Sequence, residues 1–394
     1  MPLGIYISVP FCKSKCSYCN FATGVVSKAA YARYVDRVCA DVANAEATAS
    51  AVGGRFESAV DSIFLGGGTP TILDPADLER LFLVVRKHFA VTPDAEITVE
   101  CAPGTLTSAL LETLTRCGVN RVSLGVQSWV DAEAAAVGRL HTRARVLEDI
   151  AALRSAGIDD INVDLIAGLP HQTPESWAYS VAETIASGVP HASVYMLEVD
   201  EDSRLGRELL AGGVKYHAHF VPNDDLSADF YSEACLRLEA AGIRQYEISN
   251  FARPGRESRH NLKYWQRQPY FGFGVDAHSM LHAVSDPRQA VRFAAPDDLN
   301  TFVAGATLAR TDVSQQEALE ESFFLGLRLT QGVNLRSLSQ EFGDAAVGAV
   351  AGAVSDLVDD GLLQENHNQI QLTPRGRLLS NEVFQRFLTV SPTK

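Results

Sequence analysis

The segment Cys12-Lys-Ser-Lys-Cys16-Ser-Tyr-Cys19 places three thiols within a run of eight residues. Thiolates are soft ligands that suit iron–sulfur clusters or zinc. A structural zinc site closes with four ligands, and no second CxxC or neighbouring Cys/His pair supplies the fourth. Three thiolates on a four-iron cubane leave one iron open, and an open iron is where a chelating ligand binds. A zinc knob or a redox-sensing loop is the plainer reading, but neither accounts for open coordination. The other four cysteines, Cys39, Cys101, Cys117 and Cys235, are scattered along the chain. They read as small apolar core residues, the usual role of free cysteine. An odd count of seven also argues against a disulfide framework.

Further polar residues fall where apolar runs end. Leu65-Gly66-Gly67-Gly68-Thr69-Pro70 is a turn in which glycine lets the backbone approach a ligand closely. No lysine follows as in a phosphate-binding loop, so the turn is expected to offer carbonyls to an amino group. Glu100, Gln127 with Ser128, and Asp164 each close an apolar run, which predicts them at the rim of a barrel mouth. As ionised carboxylates, Glu100 and Asp164 would accept hydrogen bonds from hydroxyl or amino groups. Arg139, in Gly-Arg-Leu-His, presents a planar fork suited to a carboxylate. Taken singly, each also reads as an ordinary loop residue; recurrence on successive strands favours one shared site.

The elements that must position these residues alternate. Strands are predicted at 5–9, 62–65, 96–100, 121–126, 161–166 and 192–198. Between them lie amphipathic helices at 75–89, 106–117, 142–156 and 174–188, many opening on Thr, Asp or Pro and closing near Gly. Repeated strand–helix units imply an α/β fold with a parallel sheet and right-handed crossovers. Six such units predict a partial (β/α)6 barrel, with an open sheet as the alternative. A helix follows at 227–241, and then a stretch from Tyr246 to Ser279 that reads as a packed, aromatic- and glycine-rich loop region. A helix at 346–359 followed by strands at 361–365 and 369–373 predicts a smaller winged-helix-like α+β module. The expected division is therefore 1–225, 226–310 and 311–394.

Of the 394 residues 46% are hydrophobic, enough for a large core, and the formal charge of -14 repels phosphate backbones, so nucleic acid is not an expected partner. The start, MPLGIYISVPF, lacks a basic segment ahead of an apolar one, and no apolar run reaches the ~20 residues that span a bilayer. A cytoplasmic protein without a membrane span is the expectation.

The stretches YISVPFC, CSYCNF, LGGGTPT, GVNRVSLGVQSW, NVDLIAGLP, YEISNFARPG and HNLKYW, spread over nearly the whole chain, resemble the HemW haem-chaperone family. That family consists of radical S-adenosylmethionine proteins similar to oxygen-independent coproporphyrinogen III oxidase. The resemblance implies a [4Fe–4S] cluster on Cys12, Cys16 and Cys19. Its open iron would bind S-adenosylmethionine, with an electron from an external reductant able to cleave that ligand to a 5′-deoxyadenosyl radical. Tyr6, Gly67, Gly68 and Glu100 would contact the S-adenosylmethionine, with Tyr18 stacking nearby. Thr69, Gln127, Arg139 and Asp164 match residues that hold a second S-adenosylmethionine in the oxidases. Haem itself and a haem-acceptor protein are the implied partners.

Two features favour the chaperone over the oxidase. Phe21 stands where oxidases carry a further cysteine, and the chain reaches Cys12 without the oxidases' N-terminal extension. In His260-Asn-Leu-Lys-Tyr264-Trp265, His260 offers an axial nitrogen to haem iron, and Tyr264 and Trp265 offer flat apolar faces. The plainer reading of His260 is a hydrogen-bonded histidine in a structural loop. The chain departs from the family's pattern at Ala102, usually Asn, and at Asp276, usually Gly. Oxidative decarboxylation of coproporphyrinogen III, or radical chemistry on another tetrapyrrole, is the competing function. A DNA-binding role for the C-terminal module has the wrong charge context.

Overall fold

The computed structural model describes residues 1–286, 288–305 and 307–388, so the end of the expected third unit lies outside the described residues. Six parallel strands form its centre: β1 (Leu3–Val9), β2 (Ala59–Gly67), β3 (Ala90–Cys101), β4 (Arg121–Gln127), β5 (Asp160–Ala167) and β6 (His191–Met196). Each pairs with the next in sequence order. Ile5, Ile7, Val9, Leu65, Val99, Val122, Leu124 and Val163 are completely buried, as a parallel sheet covered by helices demands.

The helices Lys28–Ala43, Pro75–His88, Ser108–Arg116, Arg143–Ser155 and Pro174–Ala186 connect the strands. Leu78, Leu81, Phe82 and Val85 are the buried side chains of Pro75–His88, the i, i+3, i+4, i+7 stripe of a helix lying on a core. Thr107, Thr142 and Thr173 each accept a hydrogen bond from an amide in the first turn of the helix they precede. This is how Thr and Pro in the sequence mark helix starts.

The sheet continues past both ends of the six. Beyond β6 lie β8 (Asn250–Ala252) and β7 (Arg244–Gln245), both antiparallel; beyond β1 lie β9 (Tyr270–Gly274), β10 (His278–His282), β11 (Ala290–Ala294) and β12 (Ala309–Val313). β9 runs parallel to β1. The twelve strands end in two free edges, so the barrel is partial. The 246–279 stretch is therefore more ordered than its sequence suggests: it supplies β8, the helix Arg259–Trp265, β9 and the start of β10. Gly272 and Gly274 read as turn signals, yet both sit inside β9. A β-carbon at Gly272 would strike the carbonyl of His278, and one at Gly274 the carbonyl of Ser8.

A second apolar cluster, including Phe323, Leu357, Leu363 and Ile370, forms the C-terminal module. Its sheet has the order β13 (Val333–Asn334), β15 (Gln369–Leu372), β14 (Leu363–Asn366). The helix expected at 346–359 is two helices, Asp344–Gly348 and Ala351–Asp359. Gly348 and Gly352 flank the break and weaken a continuous helix there. Of the scattered cysteines, Cys101 and Cys117 are buried, while Cys39 and Cys235 are half-buried against the barrel core.

Trp177 is fully buried in the helix behind β5, and its indole N–H donates to the carbonyl of Phe230 at 2.6 Å. Trp177→Ala is expected to lower stability by about 3–5 kcal/mol, read from the denaturant midpoint. A loss below about 1 kcal/mol would show that this site collapses around the gap rather than keeping it.

Candidate cofactor site at the open end of the barrel

The cysteine loop leaves the end of β1 and returns over it. Its base is pinned by the Cys12 amide on the Gly24 carbonyl at 3.1 Å and the Gly24 amide on the Pro10 carbonyl at 2.9 Å. Neighbouring turns clasp the loop: the Ser17 amide bonds the Val137 carbonyl at 3.1 Å, and the Leu205 amide bonds the Ser17 carbonyl at 2.8 Å. Each thiol has its own polar neighbour. The Thr69 hydroxyl lies 3.8 Å from Cys12 Sγ, the Arg139 guanidinium 3.5 Å from Cys16 Sγ, and the Thr23 hydroxyl 3.7 Å from Cys19 Sγ. Among the described residues, no three His, Cys, Asp or Glu side chains converge as ligands of a single ion would. Three thiols on one short loop, each beside a side-chain donor, are a donor set suited to an iron–sulfur cluster, whose sulfurs accept such hydrogen bonds. Burial pushes the Cys12 thiol up, a cost that coordination of the thiolate offsets.

The glycine turn lies against this loop. The Gly68 and Thr69 amides bond the carbonyls of Val9 and Phe11, each at 2.8 Å. Gly67 has the left-handed φ of 96° that favours glycine.

Below the loop a cavity of about 900 Å³ opens, within the size range of cofactor sites. The three cysteines, Tyr6, Tyr18, Gly67, Gly68, Thr69, Glu100, Gln127, Arg139, Asp164 and His260, all named from the sequence, line it. Ser128 does not; its hydroxyl donates to Glu133 at 2.6 Å, away from the cavity. The two carboxylates lie deeper than a rim position. Asp164 is raised by burial and held by Ser123 at 3.0 Å and Asn162 at 2.7 Å. Glu100 accepts the Gly67 amide at 3.1 Å, yet burial and the nearby charge of Asp164 push its carboxyl up to about 8. A carboxyl raised in this way holds its proton more readily than the ionised acceptor expected from the sequence. Thr98 Oγ1 and Gln127 Oε1 are buried on the cavity wall with no hydrogen-bond partner among the described residues, and Gln127 has a left-handed backbone at φ 69°.

His260 sits on the Arg259–Trp265 helix rather than in a loop. Glu96 anchors that helix start, accepting the amides of Arg259 at 2.9 Å and His260 at 3.0 Å. The imidazole is 1% exposed, and burial with Lys263 beside it lowers its pKa to about 3, so the ring is neutral. Its Nδ1 meets the Ser62 hydroxyl at 3.0 Å and its Nε2 the Tyr264 hydroxyl at 2.9 Å. Tyr264 shares the cavity wall, but Trp265 points the other way, under the Arg328 guanidinium at 4.2 Å. Asp276 occupies a left-handed position, φ 57°, which explains why glycine is the usual residue there. Its carboxylate lies 3.8 Å from His278.

Ser123, Asn162, Ser193 and Asn250 also line the cavity and were missed in the sequence. A signal was present: in Ile161-Asn162-Val163-Asp164 polar residues alternate with apolar ones, the period of a strand with one face on a polar interior.

The Radical SAM superfamily profile matches residues 6–182, and the HemN C-terminal domain profile matches 313–379. The chain is 33% identical over 387 residues to "Heme chaperone HemW" of Bacillus subtilis, covering 97% of this chain and 98% of that one. It is 30% identical to "Heme chaperone HemW" of Escherichia coli, covering 98% of each chain. The solved structure of coproporphyrinogen III oxidase (HemN) from Escherichia coli superposes with a TM-score of 0.83, covering 99% of this chain and 91% of that one. At 24% identity that likeness shows a shared fold. The fold and the profiles define a radical SAM protein with a HemN-type C-terminal module. Within that class, the chain belongs to the HemW family.

Because the folded Glu100 pKa is raised, the folded chain binds more protons than the unfolded chain between the ordinary carboxyl value and about 8. Stability therefore falls as pH rises through that window. Without ligands, Glu100→Gln is expected to flatten the fall, read from thermal midpoints between pH 5 and pH 8. An unchanged slope would contradict a raised Glu100 carboxyl.

Proposed function

We propose that this chain binds a [4Fe–4S] cluster, S-adenosylmethionine and haem, and passes haem to an acceptor protein in the cytoplasm. The observation that carries the reading is the juxtaposition of three thiols on one loop with a large cavity lined by buried polar groups, on a chain similar over nearly its whole length to haem chaperones. Cys12, Cys16 and Cys19 would hold the cluster, with Thr69, Thr23 and Arg139 stabilising their sulfurs. Bound cluster and S-adenosylmethionine together supply one-electron chemistry, with electrons from an external reductant. The chain's own groups orient the ligand. Gly67 and Gly68 give close backbone approach, Tyr6 and Tyr18 close the sides, and Glu100 and Asp164 face its positive charges.

The groups around Glu100 set a pH dependence. It faces Asp164 on β5, Tyr6 on β1, Tyr195 on β6 and Tyr264. A cationic ligand stabilises ionised Glu100 and expels its proton. Affinity for S-adenosylmethionine is accordingly expected to rise from pH 6.5 to pH 8.5.

Of the residues matched to a second S-adenosylmethionine, Gln127 remains a candidate, Asp164 is taken by the first, and Thr69 and Arg139 lie beside cysteine sulfurs. Haem would use the wall formed by His260 and Tyr264. Both ring nitrogens of His260 are hydrogen-bonded, so ligation of iron would displace a hydroxyl from one of them. Among the described residues no helix is long and apolar enough to cross a membrane. The oxidase alternative lacks its further cysteine; Phe21 in that place is 63% exposed.

The test is to reconstitute the cluster anaerobically, add haem, and record absorption spectra of wild type beside His260→Ala. The proposal expects about four irons per chain, lost in Cys12→Ala, and a stoichiometric haem band altered by His260→Ala. An unaltered band would remove His260 as ligand. No haem band, with vinyl products from coproporphyrinogen III, would replace the chaperone by the oxidase.

A further inference from the structure

The motif Tyr246-Glu-Ile-Ser-Asn-Phe251 has no assigned part in the cofactor contacts, yet it joins the two apolar cores. Ile248 belongs to the C-terminal cluster, and Phe251 is buried in the barrel core. Its backbone is stitched to both sides: the Ile248 amide bonds the Arg328 carbonyl at 3.1 Å, the Thr330 amide bonds the Tyr246 carbonyl at 3.0 Å, and the Val194 amide of β6 bonds the Ser249 carbonyl at 2.8 Å.

The polar side chains form a connected chain. Glu247 has no solvent exposure, and its Oε2 lies 3.6 Å from the Arg328 guanidinium. Its Oε1 accepts from the Ser249 amide at 3.0 Å and from the Asn250 side-chain amide. A carboxylate only accepts, so it turns the Asn250 NH2 towards itself and the Asn250 carbonyl away. That carbonyl accepts from the Ser193 hydroxyl at 2.8 Å. Ser193 Oγ in turn lies 3.0 Å from Asn162 Nδ2 and 3.2 Å from Asn162 Oδ1, and that nitrogen also reaches Ser123 Oγ and Asp164 Oδ1, each at 2.7 Å, so Asn162 links Ser193 to Asp164. Burial raises the Glu247 carboxyl and Arg328 opposes that rise; the carboxylate so held orients Asn250, and Ser193 and Asn162 carry the contact on to Asp164 on the cavity wall. Among the described residues Arg328 is the cation that faces Glu247, and it lies on the HemN-type side, stacked over Trp265.

We propose that Glu247 and Arg328 are positioning residues for the cofactor cavity, and that docking of the C-terminal module fixes Asp164 through Asn250, Ser193 and Asn162. The inference rests on the reading that Asp164 faces bound S-adenosylmethionine. Without Arg328, Glu247 is an unpaired buried carboxylate that takes up a proton. A carboxylic acid donates, Asn250 then reverses, and its carbonyl no longer meets the Ser193 hydroxyl.

The test measures S-adenosylmethionine affinity by anaerobic calorimetry on cluster-reconstituted, full-length protein, with iron content and thermal midpoint recorded beside it. Arg328→Met and Ser193→Ala are each expected to weaken binding about tenfold, the scale of one lost buried polar contact. Iron content should hold, and Arg328→Lys should restore binding because it keeps the charge. The double variant Arg328→Met/Ser193→Ala should lose no more than either single one, since both break the same chain. If Arg328→Met lowers only the thermal midpoint and binds normally, or if the two losses add, the motif is merely a structural stitch and the proposal fails. If Arg328→Met does not fold, Ser193→Ala and Arg328→Lys decide: normal binding in Ser193→Ala, or in Arg328→Lys a loss as large as in Ser193→Ala, overturns it. Wild type that holds the cluster but binds no S-adenosylmethionine would instead overturn the underlying reading.

Discussion

Gly68 sits with its amide on the Val9 carbonyl, and a β-carbon in its place would lie within 2.9 Å of backbone atoms of Val9 and Phe11. No side chain tolerates that approach. The approach brings the end of β2 onto the residues that lead into Cys12, and the Thr69 amide adds a second bond beside it. The cysteine loop therefore leaves β1 in a direction set by backbone hydrogen bonds. Its thiols need no secondary structure of their own to face the cavity. The clasp from Val137, Gly138 and Leu205 completes the hold from the far side.

What that loop covers is an electrostatically unfinished site. Glu100 and Asp164 are raised by burial, and the Cys12 thiol is pushed the same way. Buried acids in this state are costly to ionise until a cation or metal arrives. The proposed ligands would bring that positive charge: iron to the sulfurs, and a sulfonium or ammonium to the carboxylates. Arg139, one of the cations on the cavity wall, is spent on Cys16 and the Gly125 carbonyl. The polar chain from Arg328 to Asp164 ties this balance to the second core.

The alternation of strands and helices was legible because parallel strands covered on both faces read as unbroken apolar runs, and Thr before a helix is a capping signal with a physical cause. The cysteine spacing and the glycine turn were legible for a similar reason: each is local, and its chemistry follows from adjacent residues. What escaped depends on contacts distant in sequence. Phe271 and Phe273 stack within a strand whose glycines look like turn residues, because the reason for those glycines lies on β1 and β10. His260 pairs with Ser62, 198 residues away, and Trp265 turns to Arg328 because helical spacing separates it from the His260–Tyr264 face. The upward shift of the Glu100 carboxyl follows from burial and from Asp164, neither visible in the run Thr98-Val99-Glu100. Asn162 was within reach of the period-two pattern and was passed over for Asp164 beside it.

The central claim is that three cysteines leave one iron of a cubane open to a ligand held by this cavity. Mössbauer spectra of protein reconstituted with ⁵⁷Fe, with and without S-adenosylmethionine, test it most directly. The account predicts a [4Fe–4S] signal in which one iron of four separates from the rest when the ligand is added. Four irons that remain equivalent with ligand present, or a preparation that binds zinc tightly and no cluster, would contradict it.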